Sequence, residues 1–252
     1  MELPGHFLSS AAVGITIRRV HWPDTPLPEY DGLHAYILDN VLTPMECTQL
    51  IAVAEARTEG KWEPAQINVG NGRQELNLYS RDCGRYIWDD AELAGKLLER
   101  VRPILPKKVM TLKDMPKVTG IGPIKRKETL ELERLNERLR FLKYGENQFF
   151  ARANPLIFGH LAHCDGTYRT PAGNETSFFT FHLYLNELEG NLPGGATTFH
   201  SYNMDRRLDV KPKPGRVLIF QQQGLLHSGD DLNEGVKYTV RSDMMYKKAE
   251  SE

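Results

Sequence analysis

The chain has 252 residues, of which 40% are hydrophobic and 26% charged, and its formal net charge is -1. That length can bury a sizeable core in one domain. The near-neutral balance lacks the basic excess that marks nucleic-acid binders, so no nucleic-acid partner is expected. Cys47, Cys83 and Cys164 are widely spaced and form no CxxC pair, which argues against a disulfide framework. Nothing approaches the roughly 20 apolar residues of a membrane span. Pro4 and Gly5 interrupt the start, where a signal peptide would need an apolar run. A cytoplasmic or nuclear address and no membrane contact are therefore expected.

In chain order, residues 1–32 read as an N-terminal extension, rich in Pro and Gly around HWPDTPLPEYDG, able either to wrap on the domain or to form a partly ordered arm. The domain spans 33–248 and begins with a short apolar strand in LHAYILDNVLT. TPMECTQLIAVAEART predicts a helix with Thr43 as N-cap, Pro44 at N1 and Glu46 closing a capping box. Leu50, Ile51, Val53 and Ala54 form its apolar stripe. AELAGKLLERVRPIL predicts a second helix, capped by Asp89 or Asp90, with Leu93, Leu97, Leu98 and Val101 on one face. Residues 106–127 alternate Lys with Gly and Pro and show no stable period. They are expected to form a long solvated loop, open also to service as a lid or a basic contact. LNERLRFLKY reads as a turn or short helix leading into a strand. Beyond Arg138, RLRFLKY, SFFTFHLYLN, ATTFHSY, RVLIFQQ and KYTVRSDMMYK are β-branched and aromatic runs separated by turn formers. In the last of them Lys237, Thr239 and Arg241 share one face. Helices followed by antiparallel strands suggest a helix-supported double sheet, with a jelly roll the leading architecture.

Chemistry concentrates at His163, Asp165 and His227. His163 and Asp165 are two apart, so on a strand both side chains aim at one point. His227 lies 62 residues after Asp165 and must arrive from another strand. Two imidazoles and a carboxylate suit Fe(II) with open positions, and Zn(II) can use the same set. HLAH also offers His160, but Pro155 argues against a helix there and the downstream aspartate favours His163. Lys237, ten residues after His227, places a cation on the next strand, where it can meet a carboxylate. Arg241, Arg140 and Arg81 are further cations open to a substrate-side or a structural role.

The ordered segments RFLKYGENQFF, HCDG, TFHLYLNE, GGATTF, VKPKPGRVLIF, LLHSG and GVKYTVRSDMMY resemble the catalytic domain of the prolyl 4-hydroxylase-like Fe(II)/2-oxoglutarate dioxygenases, from about Leu33 to Lys247. The resemblance implies an α+β fold, a double-stranded β-helix (jelly roll) with supporting N-terminal helices. It implies iron held by His163, Asp165 and His227, which are then catalytic, and 2-oxoglutarate as co-substrate gripped by Lys237, with Tyr144 and Thr180 at hydrogen-bonding positions. O2 is the oxidant and ascorbate a supporting reductant. The implied reaction is hydroxylation of an unactivated C–H bond in a prolyl residue or a small molecule, releasing succinate and CO2. Two other readings of the same residues are a cupin-like metal hydrolase or isomerase, and a catalytically impaired jelly-roll binding protein. One departure bears on the last. Tyr144 precedes His163 by 19 residues, a wider gap than the family pattern has, as though 153–162 were inserted. The insert either loops out or shifts the strand and pulls Tyr144 from the pocket.

Overall fold

A computed structural model of the chain describes residues 2–9, 14–70, 73–76, 81–146, 148–150, 162–188 and 194–249. The expected insertion at 153–162, apart from Ala162, lies outside these residues, as do His160 and the side chain of Arg81.

The main elements, in chain order, are β1 (Thr16–Arg19), β2 (Ala35–Asp39), α1 (Pro44–Thr58), β3 (Gly84–Asp89), α2 (Ala91–Val101), β4 (Leu130–Leu135), β5 (Arg138–Tyr144), β6 (Glu175–Tyr184), β7 (Thr197–His200), β8 (Arg207–Val210), β9 (Val217–Gln221), β10 (His227–Gly229) and β11 (Lys237–Lys248). The larger sheet runs β1-β2-β9-β6-β11-β5-β3, ends on the short strand Glu63–Pro64, and carries β4 as a branch on β11. The smaller sheet runs β8-β7-β10 and continues through Phe149–Phe150 to Arg81–Asp82. All these pairings are antiparallel. The result is a mixed α and β fold with a sheet core and flanking helices. Among the described residues the two sheets do not join into a closed barrel.

Strand parity divides the core. On β6, Phe181 and Leu183 face the helices, as do Val217 and Ile219 on β9 and Phe141 on β5. They pack with Leu50 and Val53 of α1 and Leu93, Leu97 and Val101 of α2. The opposite parity, Tyr184, Leu218 and Phe220, packs toward Phe199 of the smaller sheet. A side-chain period of two therefore lets one strand serve a helix-backed core and an inter-sheet space together.

Both long helices start as their sequences dictate. Thr43 Oγ1 accepts from the Glu46 amide at 3.2 Å, and Glu46 Oε2 accepts from the Thr43 amide at 2.7 Å. Glu46 also takes Arg100 of α2 at 2.9 Å, so the capping residue fastens one helix to the other. Asp90, rather than Asp89, caps α2 through the Leu93 amide at 2.9 Å.

Three segments differ from their sequence readings. Residues 106–127, expected as a long loop, fold into short helical turns at Lys107–Met110, Pro116–Thr119 and Ile121–Lys125, with Thr111–Leu112 paired to β4. Their apolar anchors Val109, Leu112 and Val118 are buried, and contacts spaced this closely bend the chain into turns. Before Arg138 the chain forms β4, whose buried Leu130, Leu132 and Leu135 depend on β11 for pairing. Residues 14–32, read as part of an extension, contribute β1 to the sheet edge and bury Trp22, Leu27 and Tyr30 completely or nearly so. This resolves the choice between a wrapped tail and a loose arm in favour of wrapping.

One glycine fixes how α1 meets the sheet. Gly215, just before β9, has φ +72, and its carbonyl accepts the Val41 amide at 2.9 Å. A Cβ there would lie 1.9 Å from the Leu42 carbonyl oxygen. Gly215→Ala is expected to cost about 2–4 kcal/mol, from left-handed strain plus the displaced backbone. Urea unfolding checks it; a loss under half a kcal/mol would contradict the close approach.

Candidate metal centre

The site lies where the larger sheet's inner face meets β10. Three parallel rows of side chains, set by register, cover that face. Tyr144 of β5 stands opposite Lys237 of β11. Thr239 is flanked by Leu142 on β5 and Tyr184 on β6, and Arg241 by Arg140 and His182. β10 contributes His227, and His163 pairs with it through reciprocal backbone hydrogen bonds of 2.9 Å. Asp165, two residues on, then reaches the same point.

One ligand atom from each of His163, Asp165 and His227 lies within 4.8 Å of the others. His163 Nε2 is 3.4 Å and His227 Nε2 3.6 Å from Asp165 Oδ1. His227 Nδ1 lies 3.0 Å from the Leu225 carbonyl, which can only accept, so the proton sits on Nδ1. Nε2 then carries the free lone pair, facing the carboxylate. Burial pushes the His227 pKa down to about 4 despite the opposing pull of Asp165. The imidazole is therefore neutral near pH 7, as metal coordination demands. Burial alone would raise the Asp165 pKa, but Arg241 above all, then the two histidines, hold it well below the usual carboxylate range. A deprotonated carboxylate and a neutral, oriented imidazole thus converge with His163 without rearrangement. The donor set fits a divalent first-row metal with open positions.

The carboxylate is tied on both oxygens. Thr180 Oγ1 donates to Asp165 Oδ2 at 2.6 Å, and Arg241 Nη2 lies 2.8 Å from Oδ1. Thr180, expected as a co-substrate contact, lines the pocket with its hydroxyl committed to Asp165. The strand pattern placed Thr180 on the right face, but its partner comes from a separate segment. Arg241, read from sequence as open to a substrate-side or a structural role, joins the centre directly. Its shared face with Lys237 was the available signal.

Lys237 lines the pocket and is 3% exposed. Its Nζ donates to the Gly195 carbonyl at 2.9 Å and lies 4.4 Å from the centre of the Tyr144 ring. Gly195 needs its glycine, since φ is +68 and a Cβ would lie 2.3 Å from Leu188 Cδ1. No carboxylate among the described residues pairs with Lys237, and burial pushes its pKa down to about 8. Tyr144 is buried and lines the same pocket, so whatever 151–161 does, the tyrosine reaches it. Tyr184 Oη donates to Thr197 Oγ1 at 2.7 Å along the pocket wall. His182, also in the wall, has its pKa pushed down to about 3 by burial, then by Lys237 and Arg241. The side chains of His163 and Arg241 are the more exposed of the cluster, at 28% and 20%.

Comparison with known proteins agrees with this geometry. The profile of the 2OG-Fe(II) oxygenase superfamily matches residues 141–242. Among curated proteins, none matches this chain by sequence. In fold, the chain is similar to a prolyl hydroxylase from Trichoplax adhaerens solved with a hypoxia inducible factor oxygen degradation domain peptide fragment: 12% identity, 88% of this chain and 86% of that one, TM-score 0.53. It is also similar to a Pseudomonas putida prolyl-4-hydroxylase: 14% identity, 88% and 96% coverage, TM-score 0.50. A viral collagen prolyl hydroxylase from Paramecium Bursaria Chlorella virus-1 aligns at 17% identity over 86% of this chain and 98% of that one, with a TM-score of 0.48. No helix among the described residues is long and apolar enough to cross a membrane. Residues 141–242, the segment that the 2OG-Fe(II) oxygenase superfamily profile matches, hold all three candidate ligands, Lys237 and the strands that bring them together.

Proposed function

We propose that the chain is an Fe(II)- and 2-oxoglutarate-dependent hydroxylase acting on an unactivated C–H bond, and that its two sheets are those of a double-stranded β-helix. The observation that carries this is a convergent His–Asp–His set whose Asp165 and His227 line one pocket with a buried lysine. In this reading His163, Asp165 and His227 hold the metal, and Lys237 binds the distal carboxylate of 2-oxoglutarate. Bound iron and 2-oxoglutarate supply the oxidising chemistry, consuming O2 and releasing succinate and CO2 while a hydroxyl is delivered to substrate.

The chain's own residues set the conditions for that chemistry. Leu225 fixes the tautomer of His227 through its carbonyl. Thr180 holds the non-facing oxygen of Asp165, which leaves Oδ1 toward the two imidazoles. Lys237 has no carboxylate partner among the described residues, so an incoming carboxylate would complete its charge pairing. Tyr144 lies against the ammonium and excludes water from it. A cupin-like hydrolase has no use for such a lysine, which disfavours that reading. The substrate class proposed is a peptidyl residue or small molecule, the peptide option drawing support from the Trichoplax relative and its peptide.

The test is metal and co-substrate binding followed by turnover. Wild type should bind Mn(II), bind 2-oxoglutarate only once Mn(II) is present, and decarboxylate 2-oxoglutarate with Fe(II). His163→Ala should lose Mn(II) binding and turnover together, by at least about 100-fold. Full turnover in His163→Ala would sink the assignment.

A further inference from the structure

Two residues of the centre carry buried polar atoms that the proposed function leaves unused, and they stand side by side. Arg241 and His182 are direct cross-strand partners on β11 and β6, and both line the pocket. Arg241 Nε and His182 Nε2 are buried atoms without a hydrogen-bond partner among the described residues. A buried polar atom left unpaired costs about 1–3 kcal/mol; Arg241 Nε–H is a donor, as is His182 Nε2 in its Nε2–H tautomer, so two donors on adjacent strands point to a missing acceptor.

We propose that Arg241 and His182 form an oxyanion subsite that recognises a carboxylate beside the metal. The inference rests on the reading of the pocket as an Fe(II)/2-oxoglutarate site. Charge makes the case for an anion. With the site filled, Fe(II) and Lys237 balance Asp165 and the two carboxylates of 2-oxoglutarate. Arg140 is already paired with Asp243 at 2.9 Å, and Asp243 also accepts from Gln222 at 3.2 Å. The guanidinium of Arg241 remains, sharing its only ion-pair partner among the described residues with the metal. A largely desolvated cation in surplus favours an anionic ligand. A guanidinium in this position, with a neutral imidazole across the strand, matches the planar two-oxygen geometry of a carboxylate. Lys237 is 3% exposed and the Arg241 side chain 20%, and the two lie four residues apart on one face of β11.

Two carboxylates fit the subsite: one carried by the substrate, which the charge balance favours, or the one on 2-oxoglutarate nearest the metal. The experiment separates them in full-length chain loaded with Mn(II). Mn(II) affinity and 2-oxoglutarate affinity are measured for wild type, Arg241→Gln, Arg241→Lys and His182→Phe. A panel of paired carboxylic acids and their amides, including N-acetylproline and N-acetylprolinamide, is then titrated onto each Mn(II)–2-oxoglutarate complex by ligand-observed NMR. If the co-substrate uses the subsite, 2-oxoglutarate affinity falls at least tenfold in Arg241→Gln and His182→Phe, with Arg241→Lys intermediate. If the substrate uses it, 2-oxoglutarate affinity holds. Acids then bind wild type at least tenfold better than their amides, and both variants erase that preference. Either result supports the subsite. Unchanged 2-oxoglutarate affinity together with no acid preference would overturn it, and a fall in Mn(II) affinity alone would reduce Arg241 to positioning Asp165. Wild type that binds neither Mn(II) nor 2-oxoglutarate would instead refute the underlying functional reading.

Discussion

Lys237→Met should weaken 2-oxoglutarate binding by about 30-fold to several thousand-fold, and should at the same time stabilise the ligand-free protein. The two effects have one cause. The ammonium is 3% exposed, with a carbonyl and an aromatic ring as neighbours but no carboxylate among the described residues. Removing one member of a buried charge pair costs about 2–5 kcal/mol in binding, which sets the range. In the free protein the same charge is a desolvation penalty, and a methionine of similar length removes it. Calorimetric titration of 2-oxoglutarate onto the Mn(II)-loaded protein and thermal unfolding of the metal-free protein read the two arms. A variant that binds 2-oxoglutarate like wild type would remove Lys237 from the co-substrate site.

The lysine also fixes a pH dependence. Its pKa in the folded chain is pushed down to about 8, below its unfolded value of about 10.4. Below about pH 8 the folded protein carries the strained cation and its full penalty. As pH rises through about 8 toward the unfolded value, the folded form sheds the proton first and the penalty is relieved. Ligand binding runs the other way, because the anion wants the cation. Affinity for 2-oxoglutarate should be flat below about pH 8 and fall up to tenfold per unit above it. Lys237→Met should show no such slope.

Asp165→Ala should abolish metal binding and metal-dependent turnover, and unlike Lys237→Met it should destabilise the fold. Its carboxylate is 2% exposed and neutralises Arg241 at 2.8 Å while accepting from Thr180. Breaking a buried pair by deleting one partner costs about 3–5 kcal/mol; partial exposure of Arg241 lowers this to about 2–3 kcal/mol here. The double variant Asp165→Ala with Arg241→Met should recover most of the stability and none of the metal affinity. Chemical denaturation measures the first and Mn(II) titration the second. Additive losses in the double variant would show that the two side chains do not act as a pair.

Much of this was open to reading from local sequence. The capping box at Thr43 and Glu46, the apolar stripe of α2 and the strands from Arg138 onward follow from capping chemistry and side-chain period. The parity of β11 alone put Lys237, Thr239 and Arg241 on one face. His163 and Asp165 announced themselves by spacing, and His227 with Lys237 by a second spacing on later strands. The resemblance added 2-oxoglutarate, which no single residue implies.

What the sequence did not yield are facts about neighbours on different strands. β4 was missed because its leucines make sense only against β11. β1 was hidden in a Pro-rich lead-in whose strand forms by pairing with β2. Thr180 was placed on the right face without its neighbour Asp165, and nothing local to Arg241 says that its partner is a carboxylate 76 residues upstream. Local sequence determines which side chains share a face, because the backbone repeat is intrinsic to the strand. Register and sheet order determine which faces meet, and those depend on the whole core closing at once. The sequence by itself thus picked out the candidate ligands and the cation on the following strand; only the tertiary structure decided that Arg241 and His182 stand side by side in the same pocket.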